Sequence, residues 1–239
     1  PIRDMPASVY QTHNARHPMN KTPPFPVAWI TGASTGIGRE LALRLAAQGC
    51  VVAASARSVA ALDSLAVQSQ SQPGRIVAMP VDVTDIRDVE RTYTKIADEL
   101  GVPDLCVLNA GTYIPVNAKQ LNARDFDSQF NLNVMGTVRV LEYVIPGMVK
   151  RKSGRIVVVA SVSGYRGLRT ASAYGATKGG LRGEAKVKAD AECTRLICSA
   201  HLGRVRRDKR SGGGGTRGGS DGGGGRERPA AASAGGCGG

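Results

Sequence analysis

Histidine is scarce in this chain, and its few copies lie away from the patterned core. The 239 residues contain His13, His17 and His201, and none falls between residues 25 and 180. A Ser-His-acid triad and a His-based metal site are therefore excluded from the stretch that carries regular patterning. Cysteine is present as an odd number of five (Cys50, Cys106, Cys193, Cys198 and Cys237) with no C-x-x-C. That argues against a disulfide framework or a zinc site, and Cys50 and Cys106, beside apolar runs, read as buried free thiols. No stretch approaches the roughly 18 consecutive apolar residues that span a bilayer. No basic-then-apolar leader opens the sequence, so the cytoplasm is the expected compartment.

The formal charge of +13 raises the question of nucleic acid. Of the 32 Lys and Arg and 19 Asp and Glu, 12 and 6 lie in the last 59 residues, so charge is densest in the tail. Fifteen of residues 201–239 are glycine, and apolar runs are missing there, which predicts a disordered Gly/Arg-rich tail. That tail contains no Phe, Tyr or Trp and so offers no stacking platform for bases. Residues 1–24 are rich in Pro, Asn, His and Thr without periodicity and are expected to form a disordered extension, with Met19 as the native start.

Between these ends the pattern alternates. VAWI (27–30), CVVAAS (50–55), RIVAM (75–79), DLCVL (104–108) and RIVVVA (155–160) are short apolar runs. Helical periodicity separates them, most clearly in 85–100, where Ile86, Val89, Tyr93, Ile96 and Leu100 recur on one face. Five apolar strands alternating with helices predict a Rossmann-like α/β fold, a doubly wound parallel sheet covered on both faces.

TGASTGIG, Thr31 to Gly38, stands between the first strand and the first helix. Glycines at 32, 36 and 38 allow a tight turn and a close approach of backbone N–H groups to a pyrophosphate, at the positive end of a helix. Alone, a glycine-rich turn at a strand–helix junction is weak, because many such glycines only make the turn. Here the spacing is G-x-x-x-G-x-G. DVTD (82–85) follows the third strand, NAG (109–111) the fourth and Ser161 the fifth. Tyr174 and Lys178 form Y-x-x-x-K, and Ser161 lies 13 residues before Tyr174.

In this order, over roughly residues 25–180, the chain resembles the short-chain dehydrogenase/reductase family. The resemblance implies hydride transfer between a nicotinamide cofactor and an alcohol or carbonyl compound. It implies Tyr174 as the acid/base, Lys178 as its partner and a holder of the nicotinamide ribose, Ser161 on the substrate oxygen, and Asn133 in a water-linked proton relay. The cofactor-binding set it implies is Thr31, Gly32, Ser34, Thr35, Gly36, Ile37, Gly38, Arg57, Asp82, Val83, Asn109, Ala110 and Gly111, with Tyr174 and Lys178. Asp82 would stand against the adenine. The family's long helices, here about 120–149 and 171–190, imply a homo-oligomer where the chain folds.

The residue types fit that chemistry independently. A Tyr and a Lys at i and i+4 share a helix face, and a nearby ammonium favours a phenolate. Such a phenol can give or take the proton when hydride moves at a carbinol carbon. Cofactor choice turns on the end of the second strand, where AASARS places Ser55 and Arg57 and no carboxylate. A guanidinium there suits a 2′-phosphate, which favours NADP over NAD; the plain alternative is an Arg that only caps the strand in solvent.

Past residue 180 the family pattern stops. The catalytic helix would extend weakly through 181–200, and strands six and seven, with the Pro-Gly loop over the nicotinamide, are not recognisable. Strand five would then be an exposed edge, and the chain would fold poorly and turn over little substrate. Three readings remain: a reductase, a catalytically defective nucleotide-binding remnant left by a frameshift, and a nucleic-acid binder working through its tail. A frameshift explains best why the loss begins inside a regular region, so a small carbonyl or alcohol, and neither nucleic acid nor membrane, is the expected partner. Translating the other reading frames beyond residue 180 is expected to restore a Pro-Gly loop and a further apolar strand. Finding neither would sink the frameshift.

Overall fold

A computed structural model describes residues 23–189 and 195–201. They belong to one unit, Pro1–Gly203, while a second unit, Arg204–Gly239, lies outside the described residues. The expectations of a disordered extension before residue 23 and of a disordered tail beyond 201 also fall outside them.

The apolar runs all become strands: β1 Val27–Thr31, β2 Val51–Ser55, β3 Arg75–Ala78, β4 Leu105–Leu108 and β5 Arg155–Ser161. Between them stand α1 Gly36–Ala47, α2 Val59–Gln68, α3 Ile86–Glu99, α4 Ala123–Phe130 and α5 Gly136–Arg151, and α6 Ser172–Ala189 follows β5. Several helices start where a short polar side chain caps them. Ser58, Asp85 and Asn122 accept from the amides of Ala61, Arg87 and Arg124. The strands pair in parallel in the order β3-β2-β1-β4-β5, with a sixth strand, β6 (Arg195–His201), beyond β5.

Side chains alternate between two cores, as strand geometry requires. Ala28, Ile30, Val52, Ala54, Leu105 and Val107 point to one face, where Ala42, Leu45, Leu62 and Leu65 of α1 and α2 cover them. Trp29, Ala53, Cys106, Leu108, Ile156 and Val158 point to the other. There they meet Val89 and Ile96 of α3, Val140 to Met148 of α5 and Leu181 of α6. Burial pushes the Cys106 thiol far above its ordinary range and also raises that of Cys50, in keeping with two inert core residues.

The sequence pattern offered no sixth strand and a weak helix through 181–200. The helix does continue past residue 181, but it stops short of 200 and a strand follows. α6 ends at Ala189, and β6, Arg195–His201, pairs in parallel with β5 from Arg155↔Arg195 to Ser161↔His201. The physical reason is the row of N–H and C=O groups along β5. Left open they are costly, and the short RLICSA stretch is the next apolar segment able to pair with them. Among the described residues no helix is long and apolar enough to cross a membrane.

One buried hydroxyl ties β1 and β2 to the residue that follows β3. Ser55 Oγ accepts from the indole N–H of Trp29 at 2.9 Å and donates to the carbonyl of Met79. Ser55→Ala leaves both partners buried and unpaired, and should destabilise the fold by about 1–3 kcal/mol. The midpoint of urea unfolding reads this directly, and an unchanged midpoint would contradict it.

Candidate active site

The strand order reverses between β1 and β4, so a crevice opens beyond their carboxyl ends. Thr31 closes β1 there. Its hydroxyl accepts from the amides of Asn109 at 3.1 Å and Ala110 at 3.2 Å, and donates to Val107 O at 3.4 Å. The Asn109 amide group returns the contact, donating to Thr31 O at 3.1 Å and Gly32 O at 2.9 Å. The glycine-rich loop and the NAG segment are thus one hydrogen-bonded ridge.

Gly32 adopts φ +67°, and a Cβ there would lie 2.8 Å from Ala110 Cα. A Cβ at Gly38 would run into the Gly32 carbonyl. Only glycines let the first turn of α1 lie this close to the loop. At the start of α1, Thr35 makes no side-chain cap, which leaves the first helical amides directed outward. These features fit the pyrophosphate of a dinucleotide.

The cleft over this ridge has a volume of about 460 Å³. Ser34, Thr35, Gly36 and Ile37 line one side, Asp82 and Val83 the far side, and Asn109, Ala110 and Gly111 the floor towards β4. Arg57, exposed, stands on its rim just past β2. Asp82 Oδ1 accepts from Thr84 N at 2.9 Å and Thr84 Oγ1 at 2.7 Å. Partial burial pushes the Asp82 carboxyl up, but these bonds with Arg57 and Arg139 outweigh it, and its pKa lies below the ordinary value. A larger cleft of about 600 Å³ runs along α3 and shares Arg57, Val81 and Asp82. It holds no Tyr, Ser or Cys, and its Asp88 is already engaged by the Asp82 amide and by Arg91.

A second cleft, also about 460 Å³, adjoins the first through Ile37, Asn109 and Gly111. Ser161, Ser163, Tyr174 and Lys178 line it, with Thr112, Tyr113 and Leu168. Ser161 Oγ accepts from the Ser163 amide at 3.2 Å and lies 3.4 Å from Ser163 Oγ. Lys178 is 4% exposed, donates to Val159 O at 2.8 Å, and lies with Nζ 5.7 Å from the Tyr174 ring centroid. The tight turn after β5 makes this meeting possible. A Cβ at Gly164 would sit 2.7 Å from the Lys178 backbone carbon, so only glycine lets the turn rest on α6.

Not every expected residue faces a cleft. Thr31 is 2% exposed and works as a strut beneath the loop. Asn133 is fully buried behind Gly111. It sits in a five-residue π turn, Asn131–Met135, between α4 and α5, inside the stretch of about 120–149 that the resemblance gives as a long helix. Its side-chain amide accepts from Thr112 N at 2.7 Å and donates to Thr112 O at 2.9 Å and Thr177 Oγ1 at 3.1 Å. Thr177 Oγ1 in turn donates to Tyr174 O at 2.7 Å. π turns of this kind occur where a side chain must be re-aimed. Thr112, Gly164 and Thr177 escaped the sequence reading, because partners 21 and 44 residues away leave no periodic signal.

The fold and the paired clefts define a nucleotide-binding doubly wound protein with a Tyr/Lys/Ser site at its switch point. Comparison with known proteins is more specific. Residues 26–196 match the short chain dehydrogenase family, and the chain belongs to it. It is 39% identical over 156 residues to an NADPH-dependent pterin aldehyde reductase of Arabidopsis thaliana, covering 64% of each chain. It is 34% identical over 160 residues to a 3-oxoacyl-[acyl-carrier-protein] reductase of Thermotoga maritima, covering 67% of this chain and 65% of that one. Among solved structures, an alcohol dehydrogenase from Thermococcus sibiricus complexed with 5-hydroxy-NADP superposes with a TM-score of 0.65 at 29% identity. That match covers 68% of this chain and 69% of the other. The chain spans about half to two thirds of the length of the curated relatives it matches.

Thr31→Val keeps the shape of the strut and removes its acceptor for two amides. It should cost about 1–3 kcal/mol of stability and also weaken nucleotide binding, although Thr31 does not line the cleft. Urea unfolding and titration of NADPH fluorescence check both; intact binding would show that the ridge does not depend on Thr31.

Proposed function

We propose that this chain is an NADP-dependent oxidoreductase interconverting an alcohol with a ketone or aldehyde. The observation that carries the reading is the junction of the two clefts. A groove lined by the glycine loop runs through Ile37, Asn109 and Gly111 into a pocket lined by Ser161, Tyr174 and Lys178. A bound NADPH supplies hydride to a carbonyl carbon, and NADP accepts it in the reverse direction.

The chain's own residues do the rest. Gly32, Ser34, Thr35, Gly36, Ile37 and Gly38 hold the pyrophosphate through backbone amides at the head of α1. Asp82 and Val83 take the adenine side, Asn109, Ala110 and Gly111 the middle of the groove, and Lys178 the nicotinamide ribose. Arg57 pairs with the 2′-phosphate, a role that the absence of any carboxylate from Ser55 to Ser58 supports. The NADPH dependence of the Arabidopsis relative and the NADP analogue bound to the Thermococcus protein support the same choice.

Ser161 Oγ donates to the carbonyl oxygen and so orients it. Tyr174 Oη gives the proton to the developing alkoxide and takes it back in oxidation. The Lys178 ammonium is anchored on Val159 O beside the Tyr174 ring. Asn133 keeps Thr112 and Thr177 in register behind the pocket, so that the wall and the catalytic helix move together. The substrate is a small carbonyl compound or alcohol, and the working form is a homo-oligomer.

Because β6 covers the edge of β5 that the sequence pattern would have left open, the purified full-length chain should oxidise NADPH with simple ketones or aldehydes. Tyr174→Phe should lower kcat by about 10²–10⁴ while NADPH binding is unchanged. Arg57→Ala should weaken NADPH, and not NADH, by about tenfold or more, since a hydrogen bond to a charged group contributes about 1.5–3 kcal/mol. Binding without any turnover would replace the reductase by a nucleotide-binding remnant. Equal affinity for the two cofactors before mutation would remove the NADP assignment.

A further inference from the structure

Two loops border the mouth of the Tyr174 pocket, one after β4 and one before α6. They are fastened together at Thr170. Its carbonyl accepts from Val116 N at 2.8 Å, and its Oγ1 lies 2.7 Å from the Tyr113 hydroxyl. Thr170 Oγ1 also donates to the carbonyl of Arg169 at 2.6 Å. With its single proton used there, the hydroxyl must accept from Tyr113. Thr170 reaches this position at φ +62°, a conformation that β-branched residues adopt only when their surroundings enforce it. The strain sits two residues before the start of α6 and four before Tyr174.

The other end of the strap meets the reacting phenol. The Tyr113 and Tyr174 rings pack edge to face, with centroids 5.3 Å apart at 62°. Tyr113 is nevertheless 46% exposed and Leu168 40% exposed, and both line the pocket. An aromatic and an aliphatic side chain therefore stand open to solvent beside Ser161, where the non-reacting part of a substrate must lie.

We propose that Thr170 and Tyr113 form a strap that fixes the Tyr174 ring and supplies one wall of the substrate pocket. Tyr113 is then a positioning and specificity-determining residue that selects carbonyl compounds carrying a flat apolar group, such as an aryl ketone or aromatic aldehyde. This rests on the reading of Tyr174 as the acid/base.

The test uses the full-length chain with ring-labelled tyrosine, the Tyr174 resonance being assigned by its loss in Tyr174→Phe. Tyr113→Phe keeps the ring and loses the bond to Thr170; Thr170→Gly loses the same bond and relieves the strain. Both should shift or broaden the Tyr174 resonance. Both should lower kcat about tenfold for acetophenone and butanone alike, with the double variant no worse than either. Thr170→Ser retains the hydroxyl and should behave as the unsubstituted chain. Tyr113→Leu should in addition raise KM for acetophenone and leave that for butanone unchanged. An unmoved Tyr174 resonance in all variants, or additive losses in the double variant, overturns the strap. Equal KM changes for both ketones overturn the selectivity. If no ketone is turned over, the reductase reading fails, and the resonance still decides the strap.

Discussion

Both clefts depend on the hydrogen bonds between Thr31 and Asn109. At the point where the sheet changes direction, the loops after β1 and β4 leave in opposite directions, and each exposes backbone groups that no strand neighbour can satisfy. The Thr31 hydroxyl and the Asn109 amide satisfy five of these contacts between them, at 2.9 to 3.4 Å. Each bond contributes only about 1 kcal/mol net, yet leaving one of these buried groups unpaired costs about 1–3 kcal/mol. The ridge is held mainly by that asymmetry. With it in place, the glycine loop and the NAG floor have one fixed relation, and the two clefts share a boundary.

The second cleft repeats the device with a different side chain. Asn133 reads both backbone groups of Thr112 and then Thr177, so one buried amide spans the loop after β4 and the helix that carries Tyr174 and Lys178. The π turn is the backbone adjustment that aims it. Gly164 completes the assembly by allowing the turn after β5 to touch α6 directly. Ser161 at the end of β5 and the Tyr174/Lys178 pair on α6 are thereby held on rigid elements, as the proposed proton transfer requires.

The chemistry of the pocket follows from position more than from composition. Lys178 is an ammonium removed from water, anchored on a strand carbonyl and close to one phenol. Ser161 Oγ accepts from the Ser163 amide and donates to the Ser163 hydroxyl, and it lines the same cleft as Tyr174. Asp82 keeps its charge because Thr84 and two guanidinium groups outweigh its partial burial. Val159 reaches Lys178 from β5, whereas Ser163 and Thr84 lie only two residues from the groups they hold.

Local pattern alone determined the five strands, the helices between them and the parallel, doubly covered sheet, because apolar period and length are recorded in consecutive residues. Thr31, Gly32 and Gly38 were readable as a phosphate loop for the same reason: their spacing is short and their backbone role is specific. Spacing also singled out Ser161, Tyr174 and Lys178, although not the distance that joins them. What only the tertiary structure decided lies in long-range partners. Asn133 and Thr31 turned out to be struts behind the clefts, Thr177 and Gly164 joined the site unannounced, and Thr170 accepted a strained backbone to hold Tyr113. The sixth strand belongs to the same group, since RLICSA forms it only where β5 offers an open row of hydrogen-bonding groups. A sequence records which groups a segment carries; which buried group still lacks a partner is settled only when the segments meet.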